Sequence, residues 1–212
     1  MTKEQMNTRE RLVESARDLF MIQGYHATGV AQILKHAGVN SGSLYHFFPT
    51  KEDLLIAVLE WYRDHIWDAL LQPVYDRVSD PVERIFGVLD GYRQMLLFLE
   101  FEQGCPIGNL ALELVNTHPN ARKLLLTNFK NWVAAMEENL ELAKDRLPAE
   151  TDRRALAIHI LAVMEGAVML ARSWRSIEPF DQAISQLREH FERLISDGTT
   201  WAAPRGREDS GW

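Results

Sequence analysis

Proline residues divide this sequence into segments of helical length. A proline lacks the backbone donor that a helix interior requires, so each one marks a boundary. The positions that act in this way are Pro49, Pro73, Pro81, Pro106, Pro119, Pro148 and Pro179. Between them apolar residues recur every three or four positions, and no stretch alternates as a strand would. The sequence therefore predicts an all-α chain of about nine helices, with no internal repeat.

Capping residues and an apolar stripe refine this prediction near several boundaries. Asp80, followed by Pro81 and by Glu83, predicts a capping box at the start of one helix, and Thr151 is a candidate cap for another. After Pro179 the apolar residues recur at spacings of four, three and four, which predicts a helix whose stripe needs a partner helix. That stripe consists of Phe180, Ile184, Leu187 and Phe191. Residues 197–212 lack periodicity and are expected to form a mobile tail.

Composition and charge narrow the class of protein. With 46% hydrophobic and 25% charged residues, the chain has the composition of a soluble globular protein. The net charge is −7, but residues 1–52 carry +1, so a polyanion should meet that end of the chain. The single cysteine, Cys105, excludes an internal disulfide and favours the cytoplasm. Residues 155–171 are apolar but include His159 and Glu165, which favours a buried helix over a membrane span.

The segment between Gly24 and Lys51 contains two short predicted helices joined by a glycine turn. Thr28 can cap the first, which should run from about Gly29 to Ala37. Gly38 tolerates a positive φ and ends it. Asn40 or Ser41 can cap the second, which should end at Phe47. Two short helices connected in this way describe a helix-turn-helix.

The second of these helices has the side chains that a DNA-reading helix needs. The small residues Ser41, Gly42 and Ser43 allow the backbone to approach base edges in the major groove. Tyr45 and His46 can donate to the flanking phosphates. The side chains expected to face inward are Leu44, Phe47 and Phe48. Lys51 lies at the start of the next helix, a position suited to phosphate.

Two other interpretations of this segment are possible. It could be a packed helical hairpin with no ligand. The histidines His26, His36 and His46 could also suggest a metal, but they lie ten residues apart, whereas ligands on one helix are three to five apart. We therefore expect no metal site and no cofactor.

At these residues the chain resembles the TetR family of transcriptional regulators. The matching pattern covers roughly residues 9–55 and reads F-x-x-x-G-Y, T-x-V-x-x-I, A-G-V-x-x-G-S-L-Y-x-x-F and x-K-E-x-L-L. Phe47 departs from it, because many members have histidine there. The resemblance implies phosphate contacts by Thr28, Tyr45, His46 and Lys51, and base contacts by residues 41–43. It also implies a DNA-binding domain over residues 1–50 and an effector-binding and dimerisation domain over residues 51–196.

The C-terminal part has few motifs, so its effector residues are inferred from composition. Large apolar residues on its middle helices could line a site for an apolar ligand, although such residues more often form core. Glu165 is added because it interrupts an apolar helix. Cys105 is added because it precedes a helix whose N-terminus could lower the pKa of the thiol. The candidates are Trp61, Phe98, Phe101, Cys105, Trp132, Met136, Met164 and Glu165. The dimer is expected to form mainly through the helix of residues 155–171 and the helix of residues 180–194. The candidate interface residues are Phe180, Ile184, Leu187 and Phe191.

The sequence thus predicts a homodimeric repressor that binds a palindromic operator and releases it when an apolar or electrophilic effector binds. An activator of the same fold is one alternative. A carrier or enzyme using the apolar cavity is another, although no recognised set of catalytic residues is present. A helical adaptor that only contacts other proteins is a third.

Overall fold

The computed structural model describes residues 7–197, except the side chains of Trp67 and Asp197. Every regular element in this range is helical, which confirms the all-α prediction, and ten α-helices are present where about nine were expected. They are α1 (Thr8–Gln23), α2 (Val30–Ala37), α3 (Ser41–Phe47), α4 (Lys51–Ile66), α5 (Gln72–Tyr75), α6 (Pro81–Phe98), α7 (Pro106–Leu114), α8 (Pro119–Leu142), α9 (Arg153–Trp174) and α10 (Glu178–Asp197). A π-helical segment, Trp67–Leu71, joins α4 to α5. Of the predicted tail, residues 198–212 lie outside the described residues.

The first three helices pack into a small bundle around apolar side chains at helical spacing. Leu12, Ala16 and Phe20 on α1 are buried together with Ile33 on α2 and Leu44 on α3. The predicted turn between α2 and α3 is present, because Gly38 adopts a φ of +65°. Its carbonyl and that of the preceding residue accept hydrogen bonds from the Arg11 guanidinium at 2.8 Å. The turn is therefore fixed from α1 as well as by its own glycine.

Several helix caps differ from the sequence prediction. Asn40 caps α3, as expected, by accepting from Ser43 N at 2.9 Å. Asp80 also caps its helix, accepting from Val82 N and Glu83 N. Thr28 does not cap α2, because its hydroxyl is bound in the preceding turn, and the side chain of Gln32 accepts from Gly29 N at 2.7 Å.

The cap of α9 is likewise displaced from its predicted position. Asp152, not Thr151, begins the helix by accepting a hydrogen bond from Ala155 N at 2.9 Å. More than one nearby side chain could reach the free N–H groups at this helix start.

Helix α9 lies at the centre of the C-terminal bundle. It packs against α8, α10 and α6, while α4 packs against α8 and α1 and so joins the bundle to the first three helices. By length and composition alone α9 could cross a membrane, but one such helix is weak evidence, and core helices of soluble proteins pass the same test. Its buried residues, among them Ile160 and Met164, belong to the core of this bundle.

Three of the four proposed dimer residues on α10 are not available to a second copy of the chain. Phe180, Leu187 and Phe191 are buried within the protomer. The ring of Phe191 meets that of Phe86 on α6 edge to face at 5.5 Å. Ile184 is half-buried and packs against the same core. The partner helices that this stripe required are α6 and α9 of the same chain.

The exposed apolar side chains of this region lie on α9 instead. They are Ile158, Met169, Leu170 and Trp174. Their spacing places them along one side of the helix.

Candidate functional site

Helix α3 presents a polar, sterically open face. Ser41, Gly42 and His46 are exposed, and Tyr45 is 56% exposed. Ser43 is half-buried, and its hydroxyl donates to Asn40 Oδ1 at 3.0 Å. Small residues at the start of the helix and two hydrogen-bonding side chains one turn later can together meet base edges and phosphates.

The inward side of α3 differs from the prediction at one residue. Leu44 and Phe48 are buried, as expected. Phe47 is 39% exposed and meets the His46 ring edge to face at a centroid distance of 4.8 Å. Phe48 follows the last helical residue with an extended backbone (φ −136°), so its ring enters the core and Phe47 lies on the outer surface beside the polar face.

Thr28 does not present its hydroxyl to a ligand. Its side chain belongs to a residue that is 1% exposed, and the hydroxyl donates to the Gly24 carbonyl at 2.6 Å. Gln23 Nε2 donates to the same hydroxyl at 3.1 Å. The predicted phosphate contact by this hydroxyl is therefore wrong in this conformation, because Thr28 instead closes the turn between α1 and α2.

Lys51 is also directed into the protein. Its ammonium donates to the Tyr25 carbonyl at 2.6 Å and lies 4.0 Å from the centre of the Tyr25 ring. Burial lowers the pKa of Lys51, and the nearby Glu113 carboxylate opposes this shift. The start of α4 is capped by Thr50 and Asp53, each accepting from the other's backbone N–H. Lys51 thus does not project freely beside α3, as the sequence had suggested.

The turn that holds Lys51 is bound to the C-terminal bundle by Glu113 of α7. Its carboxylate accepts from Tyr25 N at 3.3 Å and from His26 N at 3.1 Å. Gly24 has a φ of +83°, and a Cβ atom there would lie 2.3 Å from Glu113 Oε1. Glycine is required at this position both for its backbone conformation and for the approach of the carboxylate. We refer to these contacts of residues 24–26 with Glu113 as the α7 junction.

One side of α7, which carries Gly108, Ala111 and Leu112, forms one wall of an open cleft of about 990 Å³, whose opposite wall is α9. Phe101, Cys105 and Glu165, three of the predicted effector residues, line it. A cavity of about 30 Å³ lies behind Cys105 and Glu165 and is also lined by Trp132 and Met164. The structure therefore brings five of the predicted residues together.

The other three predicted effector residues lie elsewhere. Phe98, at the end of α6, is 86% exposed and lines neither space. Trp61 lies in a groove between α1 and α4, with the Arg17 guanidinium 4.2 Å from its ring centre and the His65 ring stacked on it at 4.6 Å. Met136 is fully buried in the core. Composition identified large apolar side chains but not which faces of the helices they occupy.

Cys105 and Glu165 form a buried polar pair. The thiol hydrogen bonds to the carboxyl group, and burial raises the pKa of Glu165. Burial and the adjacent carboxylate raise the pKa of Cys105 far more than the N–H groups of Ile107 and Gly108 lower it. The thiol is protonated at neutral pH, so the expectation of a reactive thiolate at this helix N-terminus is wrong.

Two glycines that the sequence did not single out shape the cleft. A Cβ atom on Gly108 would lie 2.2 Å from Glu165 Oε2, and one on Gly104 would lie 2.8 Å from Arg172 Cδ. These glycines allow two polar side chains of α9 to lie directly against the start of α7. Only the helix pairing reveals this requirement, although their four-residue spacing was visible in the sequence.

Metal ligands are not grouped in the part of the chain that the structure describes. Within residues 7–197, no three His, Cys, Asp or Glu side chains come together as a metal site would require.

A helix-turn-helix with an exposed polar face, tied to a helical bundle, is the architecture of a class of DNA-binding transcriptional regulators. The profile of the tetR family of bacterial regulatory proteins matches residues 12–58. The profile of the LmrA/YxaF-like transcriptional regulator C-terminal domain matches residues 81–186. The chain belongs to the TetR family, and it is a transcriptional regulator rather than an enzyme.

Relatives and solved structures agree with this membership. The chain is 36% identical over 166 residues to the HTH-type transcriptional regulator YxaF of Bacillus subtilis, covering 78% of this chain and 85% of that one. It is 29% identical to the HTH-type transcriptional repressor DhaR of a Mycobacterium species, covering 88% and 92%. A TetR regulatory protein structure from Rhodobacter sphaeroides superposes with a TM-score of 0.79 at 26% identity, covering 86% and 98%.

Proposed function

We propose that this regulator is a cytoplasmic repressor that binds a palindromic operator as a homodimer and releases it when a small, mainly apolar effector occupies the cleft. One observation carries this proposal: α7 supplies a wall of the cleft at Cys105 and Gly108, and the same helix holds the turn before α2 through Glu113. The effector site and the DNA-binding helices thus share a rigid element.

DNA contact is assigned to α3. Ser41, Gly42 and Ser43 would approach base edges, and Tyr45 and His46 would donate to phosphates on either side of the groove. The exposure of all but Ser43 supports this role. Because Ser43 is hydrogen-bonded to Asn40, its contribution to base contact would require that bond to be exchanged or shared.

Homodimer formation is assigned to the exposed apolar side of α9. Ile158, Met169, Leu170 and Trp174 are exposed on this helix, and a second copy would cover them. A two-fold dimer presents two copies of α3, which matches a palindrome. Dimers are common in the family.

Release requires that the effector bind the DNA-free conformation more tightly than the DNA-bound one. A ligand between α7 and α9 would move α7 relative to the bundle. Glu113 would carry that movement to residues 24–26 and so to α2 and α3. Both hydrogen bonds of the α7 junction are donated by backbone N–H groups, so the displacement acts on the main chain of the turn.

The test begins with selection of an operator from random DNA, followed by fluorescence anisotropy titrations with and without effector. Glu113→Gln weakens the junction and should reduce effector-driven release several-fold while the variant still binds DNA. Glu137→Gln, on the exposed side of α8, is the matched control and should behave as wild type. Equal release in both variants would exclude the junction as the coupling element. An activator is distinguished by transcription that falls when the gene for this regulator is deleted.

A further inference from the structure

Two residues that line the small cavity behind the cleft each have a buried polar atom without a hydrogen-bond partner. These atoms are Glu165 Oε1 and Trp132 Nε1. Trp132 is only 6% exposed, so solvent does not satisfy its N–H group. The Tyr92 hydroxyl lies near this indole, but no hydrogen bond of good geometry joins them. The residues around this cavity therefore include a donor and an acceptor that are both buried and both unsatisfied.

We propose that the effector is an apolar molecule ending in a hydroxyl group, and that this hydroxyl donates to Glu165 Oε1 and accepts from Trp132 Nε1. The inference rests on the proposed function only in taking the cleft as the effector site. It adds the chemical class of the effector and the two side chains that select it.

The hydrogen-bonding pattern distinguishes a hydroxyl from other head groups. An ammonium can donate to Glu165 but cannot accept from Trp132, so the indole N–H would remain unsatisfied. An ether or ketone oxygen accepts but cannot donate, so it cannot pair with both Trp132 Nε1 and the ionised form of Glu165. A carboxylate or phosphate would bring a second negative charge beside Glu165 in a buried site. A hydroxyl both donates and accepts, and it does so whether Glu165 is ionised or neutral.

The dimensions agree with this assignment. The cavity measures about 30 Å³, close to the volume of one water molecule in the liquid, so it can take one small oxygen group. Glu165 and Cys105 line both this cavity and the open cleft, so they stand at the passage between the two spaces. The apolar body of the ligand would lie in the cleft against Phe101, Phe129 and Met169.

Gly108 fixes the position of the accepting carboxylate. A Cβ atom at residue 108 would lie 2.2 Å from Glu165 Oε2, so glycine allows the carboxyl group to turn into this corner. The thiol of Cys105 hydrogen bonds to the same carboxyl group. Glu165 Oε2 is therefore crowded by α7, and Glu165 Oε1 remains available to a ligand.

The experiment measures binding of matched pairs to the full chain by isothermal titration calorimetry without DNA. The pairs are 1-nonanol with 1-methoxyoctane, and 2-naphthol with 2-methylnaphthalene. Each pair has the same number of heavy atoms, but only the first member can both donate and accept. We expect the alcohol of at least one pair to bind about tenfold more tightly than its partner.

Two variants test the assigned atoms. Trp132→Phe removes the N–H group and Glu165→Met removes the acceptor, and each should reduce the preference for the alcohol to about threefold or less. Trp61→Phe changes a tryptophan outside the cleft and should keep the wild-type preference. Circular dichroism before each titration identifies any variant that fails to fold. If one variant does not fold, the other tests whether its atom binds the hydroxyl group.

The results of these titrations test the inference separately from the proposed function. Equal binding of both members to wild type, binding of neither member, or a preference that survives in the folded variants would overturn the inference. Water retained in the cavity would give the first of these results. A preference for the alcohol that disappears in Trp132→Phe, without any release of DNA by that alcohol, would support the inference and contradict the proposed coupling.

Discussion

The DNA-binding helices and the bundle behind them differ in how fully their buried polar groups are satisfied. In the first region, the caps come from three residues away, as with Asn7 and Glu10 or Asn40 and Ser43. The bundle also has local caps, at Asp80 and Asp152, but it leaves more buried polar atoms without a partner in the part of the chain that the structure describes. Of the five buried side-chain atoms without a partner among the described residues, four lie on α8 and α9 and one belongs to Glu14. The atoms on α8 and α9 are Trp132 Nε1, Asn139 Oδ1, Glu165 Oε1 and Arg172 Nε.

This difference matches the different functions proposed for the two regions. In the first region the turn between α2 and α3 is fixed from within that region, by Gly38, Asn40 and Arg11, which suits a surface that must fit DNA in one geometry. The bundle leaves polar atoms unsatisfied around a cleft, and a ligand that satisfies them gains affinity. Gly24 is the exception, because a residue of the first region depends on Glu113 of the second.

Gly24→Ala tests whether the first region depends on Glu113, and it should have the largest effect on the free energy of unfolding. The positive φ costs alanine roughly 1–2 kcal/mol. The contact with Glu113 adds a comparable amount, so we expect about 3 kcal/mol less stability by urea unfolding. Gly29→Ala is the control, because a Cβ there meets its nearest atom at 3.5 Å. Equal stability of the two variants would mean that the first region does not depend on α7.

Gly108→Ala tests the close packing between α7 and α9. Its Cβ would displace the Glu165 carboxyl group, so we expect a loss of about 2 kcal/mol. Gly166→Ala, on the facing helix, has no atom within 4 Å of its Cβ and should gain up to about 1 kcal/mol from helix propensity. Thermal unfolding of both variants gives the comparison. An equal loss of stability in both variants would contradict the prediction that α7 and α9 need glycine at residue 108 to pack closely.

Asn40→Ala removes a local cap and should cost about 1 kcal/mol. Asn40→Asp retains an acceptor for Ser43 N and should recover most of this loss. The free energy of unfolding for the two variants, measured in the same buffer, checks the prediction. A full loss in the aspartate variant would show that the amide contributes something other than capping.

Glu165→Gln should change the pH dependence of stability. Burial raises the pKa of Glu165 in the folded state, so the wild-type carboxyl stabilises the fold most below the unfolded pKa, near about 4.3. That contribution is lost as the pH rises through the folded pKa. The glutamine variant does not ionise, and its stability relative to wild type should therefore increase from pH 4 to pH 7. Parallel pH profiles would contradict a raised pKa at this site.

The sequence predicts these two regions unequally, for physical reasons. Turn and cap residues act over a few positions, so Gly38 and Asn40 could be assigned from the order of residues alone. Thr28 was misassigned because its hydroxyl is bound to Gly24 and Gln23 in the preceding turn. In the bundle, Phe98 and Trp132 are both aromatic residues on helices, and only the helix pairing decides that one is exposed and the other lines the cavity. Glu113 was visible in residues 104–113, but its partners lie 87 and 88 positions away.

The inward direction of Lys51 has a consequence for how the regulator responds to ionic strength. Each cation that neutralises a phosphate releases counterions from DNA and adds about 0.9 to the slope of log K against log salt. An ammonium held by the Tyr25 carbonyl at 2.6 Å contributes nothing to that count. Lys51→Met should therefore leave the slope unchanged, whereas a free phosphate contact would lower it by about 0.9 per copy. With one fewer counterion exchanged per copy, occupancy of the operator would vary less when the salt content of the cell changes.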